Sequence, residues 1–245
     1  MADYRWNVSE FAVAYDESAE QIHPWYREIQ AAIVSLSRIP SHAPALVVDV
    51  GGGSGRLIEY FLDGHPNAVG VVVDQSEPFL ALAERKLERF GKRALCVQSP
   101  LQDEWSKRLP SQPAAIVSMS AIHHLEAFEK QTLYKQCYER LAPDGIFLNG
   151  DEVRPDRVEE YLVRLNAWGE HMWQGIEIGR ISPLFQEAFD RWQDRNIARF
   201  TEQRRSGDDC HETIDVQLDY LRAAGFKSAD CPWQRDMWAI LRAVK

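Results

Sequence analysis

The sequence predicts an α/β fold: a doubly wound, mostly parallel sheet of seven strands, with helices before the sheet and a helical cap inserted into it. Three observations support this prediction. Compact apolar runs alternate with amphipathic stretches from residue 45 onward, as they do in repeated βα units. The first run leads directly into the glycine-rich turn VVDVGGGSG at residues 47–55. The alternation stops once, in a charged and Trp-rich stretch, and then resumes.

The first 43 residues are predicted to form an N-terminal helical cap. Apolar residues recur at helical spacing over residues 22–39, and a shorter helix is expected over residues 8–15. Pro40 and Pro44 close this segment.

Residues 44–153 are predicted to hold the core of the sheet. The helices expected over 54–62 and 78–90 each carry apolar residues on one face, which would cover the strands. Strands are expected at 45–50, 68–73, 94–97, 114–119 and 145–149.

The rest of the chain is predicted to contain the cap and the end of the sheet. Residues 154–210 would be the inserted helical cap, because βα alternation is absent there. Residues 211–245 would form the last helix, ended by Gly225, and two strands at 226–233 and 237–244.

Composition and charge limit the classes of partner. The 245 residues carry a formal net charge of -9, which would repel a phosphate backbone, so nucleic acid is not an expected substrate. No stretch approaches the roughly 20 apolar residues of a membrane span, and the N-terminus lacks the pattern of a signal peptide, so we expect a cytoplasmic protein with no membrane partner. The four cysteines have neither zinc-site spacing nor a disulfide framework. A monomer or a homodimer is compatible with this composition.

Three kinds of ligand use glycine-rich turns, and the spacing distinguishes them. A dinucleotide loop needs a third glycine where Arg56 stands. A triphosphate loop needs Gly-Lys-Ser/Thr, a tripeptide that the sequence lacks. What remains is an acid followed by alternating glycines: Asp49, Gly51, Gly53 and Gly55.

This pattern resembles the first motif of the class I S-adenosylmethionine-dependent methyltransferases. The resemblance continues in VVVDQS, where Asp74 occupies the position expected of an acid that binds ribose hydroxyls. It continues again in VSMSAIHHL, which is similar to the fourth-strand segment of a subgroup acting on small molecules. It implies a Rossmann-like methyltransferase fold that binds S-adenosyl-L-methionine in its core, residues 44–153. The implied activity is methyl transfer to an O, N or C atom of a small molecule, with S-adenosyl-L-homocysteine as the product.

The resemblance also implies roles for residues. Asp49 would organise the methionine end of the cofactor, and Tyr15 would shield the sulfonium. The full set expected to bind the cofactor is Tyr15, Asp49, Gly51, Gly52, Gly53, Asp74, Gln75, Gln98, Ser99, Leu101 and Ser118.

Two histidines follow the fourth strand and are the expected catalytic residues. An imidazole at His123 or His124 suits a general base, since its unperturbed pKa lies near neutrality. No metal site is expected, because the acid-rich stretch at residues 208–211 is predicted to be a helix start. The residues expected to contact the acceptor are Trp25, Tyr26, Asp151, Trp168, His171 and Trp173.

Three alternatives stay open. A near relative could make or use carboxylated S-adenosylmethionine, with a cation from Arg27, Arg154 or Arg180 holding the extra carboxylate. A non-catalytic protein could bind the cofactor without turning it over. An NAD dehydrogenase is disfavoured by the residue at the third glycine position.

Overall fold

The computed structural model of the protein describes residues 5–245, so the first four residues of the predicted N-terminal cap lie outside the described chain. One seven-stranded sheet has the order β3-β2-β1-β4-β5-β7-β6. β1 to β5 pair in parallel, and β7 runs antiparallel between β5 and β6. This confirms the predicted sheet. The strands are β1 (Ala45–Val50), β2 (Ala68–Asp74), β3 (Ala94–Gln98), β4 (Ala115–Met119), β5 (Ile146–Glu152), β6 (Ser228–Arg235) and β7 (Trp238–Val244).

Helices cover both faces of the sheet. Two apolar clusters lie on opposite faces, because successive strand residues such as Val47 and Val48 point to opposite sides. No helix of residues 5–245 is long and apolar enough to cross a membrane. The helices are α1 (Ser9–Ile22), α2 (Tyr26–Leu36), α3 (Arg56–Gly64), α4 (Glu77–Leu87), α5 (Ala127–Arg140), α6 (Val158–Glu177), α7 (Gln186–Gln193) and α8 (Ile214–Ala224).

The break between the two N-terminal helices differs from the prediction. α1 continues to Ile22, whereas the sequence pattern predicted that the first helix would end at Tyr15. The chain leaves the helix at His23, which is extended, because the following Pro24 disfavours a helical conformation for the residue before it. α1 therefore reaches the cap, and Trp168 of α6 donates its Nε1 proton to the carbonyl of Ile22 at 2.8 Å.

The fifth strand is longer than predicted. β5 extends through Asp151 and Glu152, which were expected in a loop after Asn149. β7 supplies the reason, since it pairs with β5 as far as Glu152 opposite Trp238. Both acids are therefore buried within the sheet, at 1% and 0% exposure.

The cap is built from α6 and α7 and a short irregular segment that leads to α8. The acid-rich stretch before α8 is not the helix start that was predicted. Thr213 is the N-cap instead, since its side chain accepts from the backbone amide of Val216. Residues 207–211 therefore lie before the helix and are not part of it. At the other end, Gly225 terminates α8 as predicted, in the left-handed conformation.

Candidate functional site

A cavity of about 750 Å³ opens at the carboxyl ends of β1, β2 and β4. The turns after these strands form one side, and the N-terminal helices and the cap form the other. The strand order reverses between β1 and β4, and open α/β sheets bind ligands in the crevice at such a point.

The turn after β1 brings its backbone to the cavity. Gly51 and Gly53 have φ values of 72° and 51°, in the left-handed region that favours glycine. The amides of Gly51 and Gly52 both donate to the carbonyl of Val73, at 2.8 and 3.2 Å, which ties the turn to β2. A Cβ on Gly51 would lie 2.4 Å from the Cβ of Ala121, so this turn also packs tightly against the turn after β4.

Asp74 is fixed at the end of β2 by backbone amides. Its Oδ2 accepts from the amide of Gly53 at 2.9 Å and its Oδ1 from that of Ser76 at 2.8 Å. Burial raises the pKa of Asp74, and these amides oppose the rise. Because a carboxylate oxygen accepts two hydrogen bonds, Asp74 keeps acceptor capacity for a ligand in the cavity that it lines.

Asp49 lies beneath the glycine turn and is 1% exposed. Its Oδ1 has no hydrogen-bond partner among residues 5–245. A Cβ on Gly52 would lie 2.7 Å from its Oδ2, so only a glycine leaves room there. Burial, and secondly the charge of Asp74, raise the pKa of Asp49 to about 8. A ligand that donates a hydrogen bond or carries a cation would satisfy this carboxyl group.

This raised pKa predicts that stability falls with pH. Between about pH 4 and pH 8 the folded protein keeps a proton on Asp49 that the unfolded chain has lost, so the free energy of unfolding decreases as pH rises. Asp49→Asn should remove up to about 1.4 kcal/mol per pH unit of this slope. Urea unfolding at several pH values in this window measures it, with the exposed Asp219→Asn as the control. An unchanged slope in Asp49→Asn would refute the assignment.

The turn after β4 carries both predicted histidines to the cavity. Ser120 has φ of 51°, and a short 3-10 turn over Ile122–His124 follows it. The rings of His123 and His124 lie 3.9 Å apart, and both line the cavity.

Two acids of β5 hold His123. Its Nδ1 lies 2.6 Å from Asp151 Oδ1 and 2.7 Å from Glu152 Oε2, and its backbone amide donates to Asp151 Oδ2 at 2.9 Å. Burial by itself lowers the pKa of His123, but Glu152 and Asp151 outweigh it and hold the pKa well above its ordinary value. Against its own burial, the pKa of Glu152 is held well below its ordinary value by His123 and His23. This ion pair fixes the orientation of the His123 ring.

The end of the cap meets the histidine turn. The backbone amides of Gly207 and Cys210 donate to the carbonyls of His124 and His123, at 2.8 and 2.7 Å. Asp209 Oδ1 thereby lies 3.3 Å from His124 Nδ1 and 3.8 Å from His123 Nε2. The sequence did not predict this contact, because it joins segments far apart along the chain.

Aromatic side chains form much of the wall on the cap side. The predicted Tyr15, Tyr26 and Trp168 line the cavity. Trp6 and Phe79 pack edge-on against the ring of Tyr15, with ring centroids 5.0 and 5.8 Å away. The lining also includes residues that were not predicted from the sequence, among them Trp6, His23, Phe79, Met172 and Phe185.

Several predicted residues lie away from the cavity, so we no longer expect them to contact a ligand there. Ser118 is fully buried and its hydroxyl donates to the carbonyl of Val50 at 2.7 Å. Trp173 is 40% exposed, and its ring lies 6.2 Å from that of Phe189 of α7, away from the cavity. Asp151 is placed beneath His123 and acts on the cavity only through it. The predicted residues that do not line the cavity are Trp25, Gln98, Ser99, Ser118, Asp151, His171 and Trp173.

The chain matches a methyltransferase family model and several curated proteins. Residues 48–147 match the family model described as a methyltransferase domain. A carboxy-S-adenosyl-L-methionine synthase from Nautilia profundicola is 22% identical over 236 residues, which cover 96% of this chain and 92% of that protein. A ribosomal RNA small subunit methyltransferase H from Corynebacterium urealyticum is 33% identical over 87 residues, or 35% of this chain, and the match spans only 25% of that protein.

The fold is also found in solved structures. Human N-acetylserotonin methyltransferase in complex with SAM superposes with a TM-score of 0.58 at 16% identity. The superposition covers 96% of this chain and 58% of the human chain.

Proposed function

We propose, from the premise that this chain is a class I S-adenosylmethionine-dependent methyltransferase, that it methylates an O, N or C atom of a small molecule bound in the 750 Å³ cavity. One observation carries the proposal. The glycine turn, Asp74 and the histidine turn, which come from three different strands, all line this one cavity. The residues expected to bind the cofactor and a histidine able to accept a proton thus face the same cavity.

The residues present fit S-adenosyl-L-methionine. Asp74 has acceptor capacity for ribose hydroxyls, and Asp49 offers a buried carboxyl oxygen that has no partner among the described residues. The positive φ values of Gly51 and Gly53 let a ligand approach the backbone. In this proposal residues 44–153 bind the cofactor, and residues 154–210 cover the acceptor.

The aromatic wall supports a small and largely apolar or aromatic acceptor. Tyr26, Trp168 and Trp192 line the cavity on the cap side and bring large apolar surfaces to it. The formal net charge of -9 disfavours nucleic acid as the acceptor. A cytoplasmic monomer or homodimer remains the predicted form.

The chemistry asks little of the protein. When bound, S-adenosyl-L-methionine supplies a methyl group activated by its sulfonium. The protein has to hold the acceptor in line with that methyl group, and orientation of this kind supplies about 7–11 kcal/mol. An acceptor hydroxyl or ammonium also needs a base. We assign this role to His124, whose side chain is 14% exposed, whereas that of His123 is 7% exposed and held by two acids.

Replacing His124 by glutamine should lower kcat about 100-fold and leave the Kd for S-adenosyl-L-methionine unchanged, because a base acts on the acceptor alone. Steady-state kinetics and calorimetry separate the two quantities. His171→Gln is the matched control, since this histidine lies on α6 outside the cavity. Equal kcat values in the two variants would remove His124 from the mechanism.

Release of S-adenosyl-L-homocysteine across a panel of small hydroxylated, amino and aromatic acceptors tests the function itself. Turnover with at least one acceptor is the expected result. Silence across the panel, together with retained cofactor binding, would instead favour a non-catalytic cofactor-binding protein.

A carboxylated cofactor is the second candidate, because the match to the carboxy-S-adenosyl-L-methionine synthase spans nearly the whole chain. Arg27, Arg154 and Arg180 do not line the cavity. The cap places Arg195 and Arg199 there, each already paired with an acid. Mass spectrometry of the cofactor that copurifies with the protein separates the two candidates.

A further inference from the structure

A cluster of two imidazoles and one carboxylate at the cavity wall has the composition of a metal site. One ligand atom from each of His123, His124 and Asp209 lies within 4.8 Å of the others. All three residues line the cavity. We propose that these residues bind a divalent first-row transition metal ion, of which Zn²⁺ is the best fit, with open positions toward the cavity.

The distances suit coordination. Asp209 Oδ1 lies 3.3 Å from His124 Nδ1 and 3.8 Å from His123 Nε2. Ligands that bind zinc at about 2.0–2.2 Å lie roughly 3.0–3.5 Å from one another. The contact of Asp209 with His124 already has that spacing, and the remaining ligand atoms, all within 4.8 Å of one another, would have to move closer together to bind an ion. Three protein ligands leave a coordination position free for water or another ligand in the cavity.

Each of two ligands is oriented by a partner on its far side. His123 places its Nδ1 2.6 Å from Asp151 Oδ1, which leaves Nε2 for the ion. Asp209 accepts through Oδ2 from the amide nitrogen of the buried Asn196 at 2.9 Å, and its Oδ1 is the oxygen that lies near both histidine nitrogens. A metal-binding histidine whose other nitrogen contacts a carboxylate is the usual arrangement in metal sites.

The backbone holds the two parts of the site together. The hydrogen bonds from Gly207 and Cys210 to the carbonyls of the two histidines fix the segment that carries Asp209 against the histidine turn. The buried Lys130 adds a hydrogen bond from its Nζ to the carbonyl of Cys210, at 2.5 Å. Ordering of the ligands is therefore largely achieved before any ion binds.

The buried charge around the two histidines and a nitrogen of His211 that has no partner among residues 5–245 both favour a bound cation. Asp151, Glu152 and Asp209 bury three carboxylates around the two imidazoles. His123 in its ion pair carries one positive charge, and a divalent cation that displaces the proton from its Nε2 would replace that charge by two. The ring of His211 lies 5.3 Å from that of His123, and its Nε2 has no hydrogen-bond partner in the described part of the chain. A water bound to the ion would supply a partner for that buried nitrogen.

The site would also change how an acceptor is activated, a consequence that rests on the proposed function. The role of His124 as a base belongs to the metal-free protein. With Nδ1 bound to the ion, His124 carries its proton on Nε2, and its part in activating the acceptor becomes that of a metal ligand. The ion lowers the pKa of an oxygen that binds to it, so an acceptor hydroxyl would lose its proton there instead. Binding of the metal itself does not depend on methyl transfer.

Titration of the full chain, freed of metal by a chelator, with Zn²⁺ in a calorimeter tests the proposal. We expect one ion per chain, and at least a tenfold weaker Kd in Asp209→Asn and in His124→Ala. Asn196→Ala, which keeps all three ligands and removes an orienting contact, should weaken binding about 10–100-fold. His171→Ala should bind as the parent does, because this residue lies outside the cavity.

Co²⁺ gives an independent spectroscopic readout. Intense visible absorption on adding Co²⁺, lost in Asp209→Asn, would support coordination by these residues. Equal Zn²⁺ affinity in the parent, Asp209→Asn and His124→Ala, or colourless Co²⁺ samples, would overturn the proposal. Binding of S-adenosyl-L-methionine is measured on the same samples. Its retention shows that a variant is folded, and its absence in the parent would count against the proposed function but not against the metal site.

Discussion

Asp74→Ala is expected to weaken the binding of S-adenosyl-L-methionine about 1,000-fold, because two hydrogen bonds from ribose hydroxyls to a charged acceptor contribute roughly 4 kcal/mol together. The carboxylate is well suited to the role. The amides of Gly53 and Ser76 fix its position at the end of β2, so a ligand does not have to order it.

Because Asp74 also accepts hydrogen bonds from these two amides, a second variant is needed to separate loss of cofactor binding from loss of folding. Alanine leaves them without their acceptor, and a loss of fold would also abolish binding. Asp74→Asn keeps the shape and one acceptor oxygen, so it should stay folded and still bind the cofactor much more weakly than the parent. Calorimetry with S-adenosyl-L-methionine, with circular dichroism as the check on folding, gives the result. Asp219→Ala, an exposed acid of α8, is the control. Parent-like affinity in Asp74→Asn and Asp74→Ala would remove the basis of the cofactor site.

Gly51→Ala is expected to lower the free energy of unfolding by about 2–5 kcal/mol and to abolish cofactor binding. Two costs add. An L side chain at φ of 72° is strained, and its Cβ would lie 2.4 Å from that of Ala121, so the backbone of one turn has to move. The same turn carries Gly52, which lies against Asp49 Oδ2, and Gly53, whose amide donates to Asp74. Movement of the turn would therefore also misplace the two carboxyl groups expected to bind the cofactor.

Gly179→Ala separates these two costs. Gly179 has nearly the same φ, 70°, but a Cβ there would meet no atom within 4 Å. It should lose only about 1–2 kcal/mol, the conformational part, and should bind the cofactor as the parent does. Urea unfolding of both variants measures the difference. Equal losses in the two would show that the contact with Ala121 relaxes freely, and would contradict the prediction.

Local patterns were sufficient for most of the fold and for one half of the site. A strand buried on both faces is continuously apolar and a covering helix is amphipathic, so β1 to β5 and the helices between them follow from the sequence. The glycine turn was likewise predictable, because glycine is the residue that most readily adopts the positive φ values found there. Where prediction failed, a neighbour distant in sequence decided. β5 continues to Glu152 because β7 pairs with it. The end of α1 at Ile22 is an exception, because it follows from the nearby Pro24, a local signal that the periodicity of apolar residues did not include.

The aromatic wall illustrates the same limit. Trp168 and Trp173 stand on one helix, and both were predicted to contact an acceptor. Of these two, Trp168 lines the cavity, whereas the ring of Trp173 lies beside Phe189 of α7 and outside it. Helical spacing gives the angle between two side chains but not which side meets the sheet, because that depends on where α6 packs.

The sequence by itself determined the sheet, the class of cofactor and the two acids expected to bind it, since each depends on residues close together in the chain. Only the tertiary structure decided what surrounds the histidines. Asp151 from β5 contacts Nδ1 of His123, whereas Asp209 from the cap lies near the other ring nitrogen of His123 and near Nδ1 of His124. Contacts between segments so distant arise from how strands and cap pack, and no local pattern of residues encodes that packing.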